Sequence, residues 1–178
     1  MASRAVLPIA VLASVLLASA SPHRHAGPQI EKMALHESPD KMLIAYVVAT
    51  NSGTAIASSE SRVEVRSATG ELLAQEDFTS QDGEHGYAVS KAAWTPDSQF
   101  FVFSLESSGG HSPWHSPTKF YARKQQRIMS LDEALHNSVT GEFVIGAPDK
   151  VTVHVWFKKR KVTVSLSELA EAATNRGQ

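Results

Sequence analysis

Cysteine is missing altogether from this chain of 178 residues. Disulfides, thiol catalysis and cysteine-ligated zinc are thereby excluded, and packing alone must hold the fold together. An excess of charge is lacking too: 17 Lys and Arg stand against 18 Asp and Glu, a formal net charge of −1. Such a balance supplies no long-range attraction to nucleic acid or to an anionic membrane, so neither is expected as a partner. Familiar catalytic signatures are absent as well. There is no Gly-x-Ser-x-Gly elbow, no phosphate-cradling glycine loop and no His-Glu-x-x-His pair, and no cofactor is implied.

Long apolar runs are also scarce. The one candidate, Ala5 to Leu17, carries Ser14 and Pro8 and falls short of the roughly 20 residues that a membrane helix needs. Arg4 precedes it and Ala18-Ser19-Ala20 follows, the arrangement of an export signal cut before Ser21. The expectation is a secreted or periplasmic protein with no stable membrane insertion after cleavage. Removing residues 1–20 from the 178 leaves 158, and losing Arg4 takes the net charge from −1 to −2. Residues 21–28, rich in Pro and Gly, read as a flexible lead-in to one β-rich domain over 29–178. His23 and His25 lie on that lead-in, where Pro22 has no amide proton to complete a square-planar copper site.

What the chain has in quantity is strand pattern. Expected strands are Ile30–His36, Met42–Thr50, Arg62–Ser67, Leu72–Phe78, Tyr87–Trp94, Phe100–Glu106, Lys119–Arg123, Arg127–Met129, Phe143–Ile145, Val151–Phe157 and Val162–Val164. Val63 and Val65 alternate with Arg62, Glu64 and Arg66, as on a sheet with one wet face, whereas Phe100 to Phe103 is continuous and suits burial on both faces. Capping boxes at Ser130-x-x-Glu133 and Ser165-x-x-Glu168 open two short helices, Leu131–His136 and Leu166–Ala173. The predicted class is mainly β, with antiparallel propeller-like or sandwich-like sheets and two short helices.

Three Pro-Asp turns punctuate the strands: Ser38-Pro39-Asp40-Lys41, Thr95-Pro96-Asp97-Ser98 and Ala147-Pro148-Asp149-Lys150. Proline at the second position and aspartate at the third suit a type I turn, and the spacings of 57 and 52 residues suit blade-like repeats. Ala93 to Ser104, with its Trp-Thr-Pro-Asp-Ser turn, resembles the blade signature of TolB-like and WD40-like β-propellers, with Thr95 and Ser98 where those blades have Ser and Gly. The resemblance implies about three blades, too few to close a ring. It implies little about function, since propellers host binding modules and enzymes alike.

The loop Ser107 to Pro117 is longer than a hairpin needs and holds His111, Trp114 and His115. These three are the candidate ligand-binding residues. No third metal ligand accompanies the two histidines, and no metal site is assigned. The bland alternative has Trp114 pinning the loop and the histidines bonding backbone. Asp82-Gly83-Glu84-His85 sets acid beside imidazole, though Asp-Gly already earns its place as a turn. Ala57–Ser61 reads as a turn, and Lys158-Lys159-Arg160-Lys161 as a solvated hairpin tip. The functional expectation is an exported binding or protein-interaction module using exposed strand edges, rather than an enzyme. The alternative is a metal- or small-ligand-binding protein, conceivably an enzyme, working through the 111–115 loop.

Overall fold

Alternation decides which face each strand buries, and three meandering sheets follow from it. The computed structural model describes residues 33–50, 60–83, 85–110, 114–156 and 160–175, all within one unit. The first sheet runs in sequence order through β1 (Met33–Glu37), β2 (Leu43–Ala49), β3 (Ser61–Ser67) and β4 (Leu72–Asp77). The second repeats that order with β5 (Tyr87–Trp94), β6 (Phe100–Ser107), β7 (Thr118–Ala122) and β8 (Arg127–Ser130). After α1 (Leu131–Leu135) comes a third sheet of β9 (Val139–Gly146), β10 (Lys150–Val155) and β11 (Arg160–Ser165), with β10 central. The chain's last described element is α2 (Leu166–Asn175). Every strand pairing is antiparallel.

The middle sheet is covered on both sides. Phe101, Phe103, Leu105 and Tyr121 meet Leu43, Ala45, Val63 and Val65 of the first sheet. From the opposite face, Phe100, Val102, Phe120 and Ala122 join Val139, Phe143, Val151 and Val153 of the third. Phe100 to Phe103 are therefore at most 6% exposed, as the continuous run requires. Each such side chain is worth about 2 kcal/mol in burial. Leu166 and Ala170 place α2 in this second core, in the chain position that a fourth strand holds in the other two sheets.

Two of the three Pro-Asp turns are copies bond for bond. Ser38 Oγ donates to Asp40 Oδ1 and accepts from Leu43 N, and Thr95 Oγ1 does the same with Asp97 Oδ1 and Phe100 N. Lys41 and Ser98 then take positive φ, 60° and 61°. The third turn departs from the type I expectation. Ala147 has no hydroxyl to tie the turn, the Ala147–Pro148 bond is cis, and Asp149 turns to Ser165 and Ser167 instead. Burial alone would raise the Asp149 carboxyl, but those hydroxyl and N–H donors bring it below its ordinary value.

Two strands are clearly longer than expected: β11 starts at Arg160, so Arg160 and Lys161, expected at a hairpin tip, pair with Val155 and His154 instead, and β9 starts well before Phe143. Gly141 adopts φ +69° inside β9, yet pairing with β10 continues on both sides of it. A register shift between Thr152 and His154 absorbs the extra residues, so β9 begins at Val139 rather than Phe143.

Candidate functional site

The loop after β6 is anchored at both ends by backbone. Gly110 N–H donates to Ser107 O, Ser116 N–H to Val139 O, and Leu105 N–H to Pro117 O. Residues 111–113 lie outside the described residues, and His111 with them. Between the anchors, His115 Nε2 sits 2.9 Å from Asp132 Oδ1, in the first turn of α1. The same carboxylate accepts from Val139 N–H and Thr118 N–H, each at 2.9 Å. A carboxylate already fixed by two backbone donors fixes the imidazole in turn. A carboxylate only accepts, so Nε2 is the donor in this pair.

Trp114 stacks on that imidazole, with ring centroids 5.3 Å apart and planes 21° apart. Its other neighbour is Trp156, which follows β10 and is tied by its N–H to Ser138 O. The two indoles lie 5.0 Å apart at 43°, and they are 47% and 48% exposed. His115 also lines a cavity of about 310 Å³, with Ser116, Ser90, Ser107, Glu106 and Glu142 among its other walls; neither indole is part of that lining. Glu142 pairs with Lys91 at 2.9 Å, and the Lys91 ammonium also lies over the Phe143 ring.

Two of the three expected ligand residues thus meet, at a corner built from β7, α1 and the end of β10. The histidine differs from the bland reading: it bonds a carboxylate, not backbone. Sequence reasoning missed Asp132 and Trp156. Asp132 was hidden within a capping box that already explained its neighbours, and Trp156 within a strand pattern. His85 does not join this cavity. Its Nδ1 lies 2.5 Å from Asp82 Oδ2 on an exposed turn, and Ser80 Oγ donates to the other Asp82 oxygen.

A second polar cluster is buried. Glu60, with no exposed surface, accepts from Ser80 N–H, Ser80 Oγ, Gly86 N–H and Ser108 Oγ. Burial pushes its carboxyl up, but these donors bring it below the usual range. Its work is to tie β3 to the loop before β5 and to the end of β6. A larger hollow of about 720 Å³ lies between β4, β8 and the helices; its walls include Leu169 and Ala173, and its Lys119 is already paired with Glu76.

Among the described residues, no group of three or more His, Asp or Glu is placed to hold a metal ion. No helix among them is long and apolar enough to cross a membrane. No protein-family model matches the chain, and no curated protein matches it.

Proposed function

We propose that the protein is a non-catalytic binding module of the exported class, and that the corner of Trp114, His115 and Trp156 is its contact surface. One observation carries this reading. Two tryptophans stand half exposed and in contact, Trp114 stacked on an imidazole held by Asp132. Large aromatics left in solvent as a rigid pair are the usual anchors of recognition surfaces. In this reading His115 serves as the support on which Trp114 stacks.

Kinship with TolB-like and WD40-like propellers belongs to the same proposal, supported by the stacked meanders and by two matching Pro-Asp turns. Export rests on the pattern of residues 1–20, which lie outside the described residues. It predicts that protein recovered from outside the cytoplasm starts at Ser21. A protein partner at a sheet edge is a second reading, favoured by Met33 and Leu35 of end strand β1, which are 58% and 52% exposed.

The test compares wild type with a Trp114→Ala/Trp156→Ala variant as immobilised bait for envelope extract. The expected result is a component held by wild type, released by the variant, and rebinding when purified. Equal retention by both proteins overturns the assignment of the surface.

A further inference from the structure

The contact surface proposed above has a chemistry that narrows its ligand. We infer that it binds a neutral carbohydrate, seated with one sugar ring at the His115 cavity and its neighbours across Trp114 and Trp156. The inference rests on the reading of this corner as the contact surface.

The platform comes first. Indole faces are electron-rich, and a pyranose ring presents a patch of C–H groups on one face, so the two stack with the weak C–H to π attraction that aromatic faces offer. Trp114 and Trp156 touch each other at 5.0 Å and 43°. At that separation one ring leans against the other and leaves no gap for a ligand to enter, so a ligand meets the pair on the half of its surface left in solvent. A chain of rings can lie along that surface.

The rim supplies the polar half. Sugar hydroxyls each donate and accept, so they need both kinds of partner. Ser116 supplies a hydroxyl that does either, Ser90 Oγ, which donates to Ser104 O, supplies an acceptor, and Glu106 and Glu142 supply carboxylate acceptors. At about 310 Å³ the cavity is at the small end of ligand pockets, which commits it to a single ring.

Charge argues against the other ligands that stack on tryptophan. A nucleotide brings phosphate toward the Glu106 carboxylate in the cavity wall. An organic cation wants aromatic faces arranged around it; here the two indoles touch and leave no cage between them. A neutral, hydroxyl-rich ring meets neither objection.

The experiment is a glycan array probed with the full chain, followed by calorimetric titration of the retained oligosaccharides. Adenosine monophosphate and tetramethylammonium serve as comparison ligands. Saturable binding of at least one neutral oligosaccharide is expected, weakened about tenfold or more by Trp114→Ala and by Trp156→Ala. Glu142→Gln, which keeps the shape of the rim, is expected to weaken it several-fold. The tryptophan variants should stay folded, with thermal midpoints lowered by no more than the loss of a half-buried ring explains. An array with no retained glycan overturns the carbohydrate inference, as does tighter binding of either comparison ligand. The surface itself still stands if the double tryptophan variant releases the extract component. Sugar binding indifferent to both tryptophans overturns the inference and the surface together.

Discussion

The backbone N–H of Asp40 donates to Ser98 Oγ across 3.0 Å, so the Pro-Asp turn of one sheet is docked on the same turn of the next. Trp94 Nε1–H reinforces the joint by donating to His36 O at 2.8 Å, and Arg123 Nη1 reaches Asp40 Oδ2 at 2.5 Å. The repeated turn therefore works twice. It reverses the chain within each sheet, and it registers the two sheets at one end.

That joint is acid-labile. The Arg123 guanidinium, and after it Ser38, hold the Asp40 carboxyl at about 2 against an ordinary 3.8. A carboxyl lowered by folding contributes stability above its unfolded value and loses it as pH falls through the folded one. Asp40 thus loses its contribution between pH 3.8 and about 2. With the side chain 37% exposed, solvent screening reduces the effect to about 1 kcal/mol. Urea unfolding of wild type and Asp40→Asn across this range should show a shallower acid decline in the variant. A decline of unchanged steepness removes Asp40 from the account. Glu60, Glu64 and Asp149 are lowered as well, so part of the decline remains in either protein.

Gly86 is required by a close approach. A Cβ there would lie 2.4 Å from Phe78 O and 2.5 Å from the Glu60 carboxyl. Gly86→Ala should cost about 3 kcal/mol or more, since it breaks a buried carboxylate's hydrogen bonds. Glu60→Gln should cost about 2 to 4 kcal/mol, by turning an amide donor toward other donors. Gly146→Ala is the control, because its Cβ would meet Lys150 at an ordinary 3.5 Å. Chemical unfolding measures all three, and a Gly86→Ala protein as stable as the control contradicts the packing described.

Tyr121 carries the opposite imbalance. Its ring is fully buried between the first two sheets, while its hydroxyl has no hydrogen-bond partner among the described residues. Burial pushes its pKa up. Tyr121→Phe removes an unpaid desolvation and should leave stability unchanged or raise it by up to about 1 kcal/mol. A loss of more than about 1 kcal/mol in thermal or urea unfolding shows that the hydroxyl is paired.

The strands were legible because alternation and turn chemistry agreed. Tyr87–Trp94 matches to the residue, and the double burial of Phe100 to Phe103 follows from its unbroken run. The start of β9 was hidden because Gly141 looks like an ending and is instead the residue at which the ladder slips. The site was half legible. Trp114 and His115 stood out on an overlong loop, but Asp132 and Trp156 are 17 and 42 residues from His115 and Trp114 in sequence. Only the pairing of β7 with β8 and of β9 with β10 brings those partners to one corner. Spacing along a chain holds no record of such pairings.

The most direct test uses the three tryptophans as separate reporters. With 5-fluorotryptophan incorporated, Trp114 and Trp156 report from the surface, and Trp94, 9% exposed, reports from the core. Fluorine NMR during titration with the retained oligosaccharide, or with the purified extract component, follows each one, assigned by single Trp→Phe variants. The account predicts that the Trp114 and Trp156 signals shift together and saturate at one affinity while Trp94 stays in place. Saturable binding that leaves both surface signals unmoved contradicts it.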